Sequence, residues 1–462
     1  MGLQKVIMHK IISNRGVFVL IFALAFGLRL INLSLTDFSM DSMLIEDARM
    51  YWVMANTTQS FLDTAKIVFF NQAERVPGYT LFLTAIISMF GAYFLPALLI
   101  QCLLDSITCL MIMALGRSVF PTQFWLFGFL AAAWPNLIIH SGMILTDTLF
   151  IFFFTAFLLS FVWLIEKQNA SYALMVGVML GTATMIRPVT QFIIFLTPIM
   201  VTIMLLCAKV RLRDALLQSS IICLVSLSFL SPLLIKNIQN YGSFALTSQN
   251  GAHLQNWVAA EIVMLRDGIG RTEAVAKMSE KTGQAIADLP PASQRNPFTI
   301  SAQHVKTATG EILTSPPSII LQSWAQGVIV NLAAPAIMID RRVRSLPHLS
   351  FSEDTSGGLM TRLQQFTAES SKAYVAILLV SIGGAGIVSI IQLAGFFVQL
   401  RLTPTLAVLS FLIMAYFMII NGPVASPKYR LPTEPILIIW LGCGLYVGSD
   451  LVKKWFYNLA TR

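Results

Sequence analysis

The sequence predicts an all-α, polytopic membrane protein with about ten transmembrane helices. Of its 462 residues, 56% are hydrophobic and only 11% are charged. Apolar runs of about 18 to 25 residues recur along the chain, and a helix needs that length to cross a bilayer. The runs lack the alternation of polar and apolar residues that barrel strands show, so an outer-membrane barrel is excluded.

The first apolar run, residues 16–33, follows Lys5, Lys10 and Arg15. Cations in short loops mark the inner side of a membrane, so we expect the N-terminus inside. The run lacks the small-x-small pattern of a signal-peptide cleavage site, and we expect an uncleaved first helix. This helix delivers residues 35–94, the first outer loop, to the outside.

The first outer loop is expected to hold short helices that do not cross the membrane. Residues 45–55 and 61–70 look amphipathic and are too short to span, so they should lie along the surface. Residues 78–90 are apolar but also short, and counting them as a span would reverse the charge of later loops. We therefore expect a third surface helix or a partly embedded one.

Nine further spans are predicted, at residues 95–116, 122–140, 148–165, 171–186, 189–207, 215–235, 373–399, 404–421 and 431–449. They divide the chain into an N-terminal module of seven spans (1–236), an outer lobe (237–372) and a C-terminal module of three spans (373–462). Residues 318–339 are apolar enough to span, and the following Arg341, Arg342 and Arg344 favour that alternative. Counting residues 318–339 as a span would place Arg401 outside, against the rule that cations in short loops lie inside. We therefore expect this stretch outside, lying on or dipping into the membrane.

In this topology the rare charged residues of several segments fall on the outer face. Residues 29–80 contain Arg29, the Glu46-Asp47 pair and the stretch Arg75-Val76-Pro77-Gly78-Tyr79. This pattern resembles the first outer loop of the GT-C glycosyltransferases, in the protein O-mannosyltransferase-like and lipid A aminoarabinose transferase-like branch. That family shows an arginine late in helix 1, then D-A-x-x-Y-x-x-x-A, then R-x-P-x-Y. The resemblance continues in the family's order at Asp147, at Arg187-Pro188 and at SPKYRLPTEP (residues 426–435).

The resemblance implies transfer of a sugar from a polyprenyl-phosphate-linked donor to a hydroxyl acceptor at the outer membrane face. It makes Asp47 the general base, and a carboxylate within hydrogen-bond reach of a hydroxyl can take its proton. The alternative for Asp47 is a solvated residue on an amphipathic helix. Glu46 is a weaker catalytic candidate that could instead cap or orient the helix. Asp147 is either a second, acceptor-orienting carboxylate or an ordinary residue at a helix start.

The leaving lipid phosphate needs cationic donors. Lys428 and Arg430 are the first candidates and Arg187 and Arg75 the next, with Tyr79, Tyr429 and Arg29 as the other substrate-site residues of the matching motifs. The alternative for the cations is snorkelling to the membrane interface. Arg29 is expected to pair with a carboxylate of the first loop. Asp105 lies inside a predicted span, and we favour a structural role for it.

No metal or other cofactor is expected, although a divalent cation would be compatible with the family. His140 and His253 lack the spacing of metal-binding histidines, and Glu46-Asp47 is not a D-x-D motif. Many of the cations behind the net charge of +9 lie in short loops between spans, so nucleic-acid binding is not indicated. The expected partners are the lipid-linked donor, a hydroxyl acceptor and membrane lipids, for a monomer in a bacterial inner membrane.

Direct attack of a hydroxyl on a sugar phosphate would invert the anomeric carbon. Two alternatives remain at this stage: a membrane transporter, and a polymerase or flippase of polyprenyl-linked saccharides. Transporters commonly carry inverted repeats and broken helices at mid-membrane, whereas this sequence shows no convincing repeat and its polar residues cluster at one face.

Overall fold

The structure, a computed structural model, describes residues 2–45, 47–58, 60–349 and 359–460, and the regular secondary structure in these ranges is helical. The N-terminal half contains α1 (Gly2–Ser34), α2 (Met40–Met43), α3 (Asp47–Ala55), α4 (Phe61–Asn71), α5 (Gly78–Phe90), α6 (Phe94–Arg117), α7 (Trp125–Ala132), α8 (Pro135–Ser141), α9 (Asp147–Lys167), α10 (Ala170–Ile186), α11 (Ile193–Cys207) and α12 (Leu212–Tyr241).

The middle of the chain, for which an outer lobe is predicted, forms shorter helices: α13 (Gln249–His253), α14 (Ala260–Asp267), α15 (Arg271–Ala287), α16 (Pro297–Thr314), α17 (Pro317–Ala333), α18 (Arg341–Arg344) and α19 (Leu359–Glu369). A π-helical turn, Leu254–Ala259, connects α13 to α14. The chain then continues with α20 (Lys372–Leu402), α21 (Pro404–Asn421), α22 (Pro427–Arg430) and α23 (Glu434–Ala460).

Seven helical stretches are long and apolar enough to cross a membrane: 15–34, 94–117, 147–167, 212–241, 372–402, 404–421 and 427–448. Each corresponds to a predicted span, which confirms an all-α polytopic membrane protein. The helices α5, α10 and α11 are apolar but shorter. The number of spans, ten, stays a prediction.

The third predicted span, residues 122–140, is not one helix. It is divided into α7 and α8 by a break at Ala133 and Trp134. Pro135 is the first residue of α8, a position where its missing N–H is tolerated, whereas inside a helix it would remove a hydrogen bond and clash. The expectation of a continuous helix is therefore wrong here. The break allows α8 to carry polar side chains towards the outer end of α9.

The core of the bundle is centred on α9. Its residues Phe150, Phe154, Phe157 and Phe161 are buried and recur at helical spacing. Phe154 meets Phe417 of α21 edge to face, with ring centroids 5.4 Å apart. The helix also packs against α6 and α10. Because α9 is enclosed in this way, its first residue, Asp147, is held in a defined place.

A buried ion pair joins α1 to α6. Arg29 Nε donates to Asp105 Oδ2 at 2.6 Å, and the guanidinium also donates to the carbonyls of Ala25 and Ala132. Neither charged side chain is more than 2% exposed. The predicted pairing of Arg29 with a first-loop carboxylate is therefore wrong, because Arg29 faces the bundle interior, where Asp105 is the carboxylate within reach. The pairing agrees with the structural role favoured for Asp105.

We predict that Asp105→Leu destabilises the protein by about 3–5 kcal/mol, because it leaves the Arg29 charge buried without a counter-charge. The double variant Arg29→Leu/Asp105→Leu should recover most of this loss. Thermal unfolding of the purified protein in detergent measures both. A single variant that melts like the wild type would contradict the structural role of the pair.

Candidate functional site

The first carboxylate of the site, Asp47, is the first residue of α3. This helix buries Ala48, Tyr51 and Trp52 against the bundle, so Asp47 stays at the edge with 41% of its side chain exposed. A carboxylate in the first turn of a helix is also favoured by the helix dipole. Asp47 is therefore held on a buried helix but remains accessible to a ligand.

Arg75 holds this carboxylate in place. Its Nη2 donates to Asp47 Oδ1 at 2.8 Å, and its Nη1 donates to Tyr51 Oη at 3.2 Å. The guanidinium also lies 5.3 Å from the centre of the Tyr51 ring, within the range of a cation–π contact. The three side chains form a unit in which the orientation of Asp47 depends on Arg75.

The second carboxylate, Asp147, pairs with Arg187. The helices α9 and α10 are antiparallel neighbours joined through residues 168 and 169, so the start of α9 and the end of α10 lie together. Arg187 Nη1 donates to Asp147 Oδ1, and the guanidinium lies 5.6 Å from the Phe150 ring centre. Asp147 is fully buried, whereas 17% of the Arg187 side chain is exposed. Arg187 is thus the more accessible member of the pair.

The two charged pairs are brought together by the contact of α5 with α10. A Cβ at Gly78 would overlap the carbonyl group of Met185, so only glycine permits this approach. Gly78 is close in sequence to Arg75, and Met185 is close to Arg187. Tyr51 interacts electrostatically with both arginines as well as with Asp47.

Lys428 of α22 adds a third cation. Its side chain is half-buried and acts electrostatically on Asp147 and His140. Within the part of the chain that the structure describes, the Lys428 ammonium makes no side-chain hydrogen bond or ion pair. A positive charge is therefore available beside the Asp147–Arg187 pair.

His253 approaches the same cluster from the outer lobe. Its ring centroid lies 6.2 Å from that of Tyr429, and it interacts electrostatically with Arg187, Arg75 and Asp47. Burial lowers the pKa of His253, and the two arginines lower it further. The imidazole is therefore neutral near pH 7, since protonation would add a third positive charge beside the two guanidiniums.

The structure brings together six of the predicted site residues: Asp47, Arg75, Asp147, Arg187, Lys428 and Tyr429. Three other predicted site residues are buried and form hydrogen bonds or ion pairs with other groups of this chain, so we do not propose them as substrate ligands. Besides Arg29, these are Arg430, which donates to Glu434 Oε1 at 2.9 Å and to the Leu332 carbonyl at 2.7 Å, and Tyr79, which donates to Gln101 Oε1 at 2.8 Å. Glu46 lies outside the described residues.

Sequence reasoning missed several groups near the site. Asn136 and Glu434 were not considered, and His140 and His253 were weighed only as metal ligands. The sequence signal for Asn136, His140 and Glu434 was their location near the ends of apolar runs, whereas His253 lies in the polar stretch that follows residue 236. Among the described residues, no cluster of three or more His, Cys, Asp or Glu side chains could hold a metal ion.

Two cavities are lined by residues that are close in sequence to those of the charged cluster. An apolar groove of about 520 Å³ is lined by residues next to the charged ones in sequence, including Gly78, Leu149 and Ile186. A second cavity, of about 530 Å³, is lined by Ile45 and Met143 and by charged side chains that include Arg342. The first cavity is apolar, whereas the second combines apolar and charged side chains.

The comparisons with known proteins agree with this architecture. Residues 74–235 match the family model described as dolichyl-phosphate-mannose-protein mannosyltransferase. The fold is similar to that of the archaeal oligosaccharyltransferase AglB from Archaeoglobus fulgidus, with a TM-score of 0.52 and 15% identity over 98% of this chain and 52% of AglB. A second structure of the Archaeoglobus fulgidus oligosaccharyltransferase, tethered to an acceptor peptide, matches with a TM-score of 0.51 and 12% identity over 95% of this chain and 50% of that one.

A further match is ArnT from Cupriavidus metallidurans in the apo state, with a TM-score of 0.38 and 11% identity over 94% of this chain and 78% of ArnT. No curated protein matches the sequence significantly. The chain spans about half the length of the oligosaccharyltransferases that it matches.

The fold and site define a polytopic membrane protein with a charged centre at one end of its helices. Residues 74–235 match the mannosyltransferase family model, and the fold of the chain is similar to that of AglB, in agreement with the GT-C-like fold predicted from the sequence. Membership of the GT-C superfamily, and the branch within it, stays a prediction.

We predict that Gly78→Ala lowers both stability and activity, because the added Cβ forces α5 away from α10 and separates Arg75 from Arg187. Gly310→Ala is the matched control, since a Cβ at this helical position meets nothing within 4 Å. It should be neutral or slightly stabilising. Melting temperature and turnover test the pair of variants, and equal behaviour of the two would contradict the tight approach.

Proposed function

We propose that this protein transfers a sugar from a polyprenyl-phosphate-linked donor to a hydroxyl acceptor, with inversion, at the outer face of a bacterial inner membrane, and that it acts as a monomer. The observation that carries the proposal is the convergence of Arg75, Arg187 and Lys428 with two carboxylates, close in sequence to residues that line an apolar groove. A lipid-linked sugar phosphate needs that combination, because its tail is apolar and its head is anionic. AglB, whose fold is similar, was solved in complex with a dolichol-phosphate.

The apolar groove suits the part of the polyprenyl tail nearest the phosphate. Leu149 and Ile186 line it, and they are close in sequence to Asp147 and Arg187. A tail placed there brings its phosphate to Arg187 without burying a charge in the hydrocarbon region. The rest of the tail would extend into the bilayer.

Lys428 and Arg187 are the proposed phosphate ligands. The charge of Arg187 is balanced by Asp147 before a ligand binds. Lys428 supplies the additional positive charge that an anionic ligand requires. As the bond between the sugar and the phosphate breaks, negative charge grows on the phosphate, and these two cations stabilise it.

Asp47 is the proposed general base. Its exposed carboxylate can accept the proton of an acceptor hydroxyl while that oxygen attacks the anomeric carbon. The proton stays on Asp47 and the lipid phosphate leaves, so a single displacement inverts the anomeric carbon. Arg75 orients the carboxylate through its hydrogen bond to Asp47 Oδ1. The polar cavity lined by Ile45 and Arg342 offers the acceptor a route to Asp47.

We predict that Asp47→Asn lowers the rate of sugar transfer by at least about 100-fold, because the amide cannot take the proton. Binding of the donor lipid should change little. The matched control is Asp63→Asn, an exposed aspartate in the first turn of α4 that pairs only with Lys66 in the described chain. Radiolabelled donor turnover provides the measurement, and a nearly normal rate in Asp47→Asn would remove Asp47 from the mechanism.

Lys428→Gln should weaken the binding of sugar-free polyprenyl phosphate by about tenfold or more, since one charge-assisted contact to the phosphate is lost. Lys306→Gln, at an exposed lysine of the outer lobe, is the control for net charge. Lipid titration into protein in nanodiscs measures the affinity. Equal affinities for the two variants would exclude Lys428 as a phosphate ligand.

A further inference from the structure

The helix α20 packs closely on the bundle near its end and separates from it towards its start. A Cβ at Gly395 would overlap the Trp440 carbonyl of α23, whereas a Cβ at Gly384, about three turns earlier, meets nothing within 4 Å. Between these two positions, Ser389 Oγ donates to the Leu332 carbonyl of α17 at 3.4 Å. The first half of α20 therefore leaves a space between itself and the bundle.

A cavity of about 230 Å³ lies in this space. It is enclosed by α20, by the start of α8 and by the segment 332–337. The residues of α20 that line it recur at helical spacing and therefore form one face of the helix: Ser381, Gly384, Ala385, Val388, Ser389 and Gln392. The groove assigned to the polyprenyl tail is lined by other helices, α5, α6, α9, α10 and α12 among them. The cavity beside α20 is therefore a separate place for a ligand.

Gln392 is the polar side chain of this face that lacks a partner. It is only 5% exposed, and its amide makes no hydrogen bond with the residues that the structure describes. Ser381 and Ser389 differ, because each donates its hydroxyl hydrogen to a backbone carbonyl. A buried amide without a partner costs roughly 1–3 kcal/mol. Since Gln392 lines the cavity, a ligand there can provide the missing hydrogen bond.

The charges around the cavity restrict the chemistry of this ligand. Arg430 also lines it, but Arg430 Nε donates to Glu434 Oε1 at 2.9 Å, so the positive charge is already balanced. A lipid phosphate inside the cavity would find no unbalanced cation there. A neutral hydrocarbon chain that carries one acceptor oxygen satisfies both the apolar lining and the Gln392 amide.

An ester-linked acyl chain has this combination, because its hydrocarbon begins at a carbonyl group. A polyprenyl chain carries no polar atom along its hydrocarbon and would leave Gln392 without a partner. The helix α20 is one of the seven stretches that are long and apolar enough to cross a membrane. Bilayer lipids with ester-linked acyl chains would therefore lie beside the cavity.

We propose that this cavity binds one acyl chain of a bilayer glycerolipid, whose ester carbonyl accepts a hydrogen bond from Gln392 Nε2. The chain fills the space where α20 leaves the bundle and thereby stabilises the position of this helix. The inference does not depend on the proposed function, because it concerns other helices and another lipid.

Native mass spectrometry of the full-length protein, titrated in detergent with dioleoyl phosphatidylethanolamine or with its ether-linked analogue, tests the hydrogen bond. The analogue has the same chains but no carbonyl groups. The wild type should bind the ester lipid about fivefold more tightly than the analogue. Gln392→Leu should bind the two lipids equally, because the donor is lost. Equal affinities in the wild type would overturn the inference.

Gly384→Phe tests the position, because its ring occupies the cavity. It should weaken binding of the ester lipid by about tenfold or more. The matched control is Gly386→Phe, since a Cβ at Gly386 also meets nothing within 4 Å but this residue does not line the cavity. Equal binding by these two variants would overturn the inference. Displacement of the ester lipid by sugar-free polyprenyl phosphate would overturn it as well, because it would assign the cavity to the isoprenoid chain.

Discussion

The site depends on one ion pair, between Asp147 and Arg187, which joins the outer ends of two antiparallel helices. A fully buried carboxylate is stable only with a partner, so α9 and α10 must keep their relative position. The approach of α5 to α10 at Gly78 then places Arg75 and its partner Asp47 beside this pair. Lys428 and His253 reach the same place from segments distant in sequence. Together these contacts form a charged centre at the end of an apolar bundle.

Much of the fold could be predicted from the sequence because hydropathy is a local property. The seven long apolar stretches coincide with predicted spans, and residues 78–90 form the short apolar helix that the sequence predicted. The gathering of Asp47, Arg75, Asp147, Arg187 and Lys428 followed from sidedness together with the motif resemblance. Both arguments required only that the helix ends expected on the outer side of the membrane lie together at one face of the bundle.

Partners across the bundle could not be predicted. Arg29 pairs with Asp105 because of how α1 packs on α6, and Arg430 donates to the Leu332 carbonyl near the end of α17. Neither contact has a sequence signal. Arg430 also pairs with Glu434, and the i,i+4 spacing of these two residues was a sequence signal that was not used. The break before Pro135 was missed because apolar residues continue across it. This break allows α8 to hold His140 against the start of α9, where Thr148 Oγ1 donates to the His140 carbonyl.

The central claim is that one lipid phosphate binds among Arg75, Arg187 and Lys428 with its tail in the adjoining apolar groove. A cryo-electron microscopy structure of the protein in nanodiscs with added polyprenyl phosphate tests this most directly. The account predicts phosphate density in contact with Arg187 and Lys428, continuous with tail density along Leu149 and Ile186. Phosphate density at another place on the protein, with this cluster and groove empty, would contradict it.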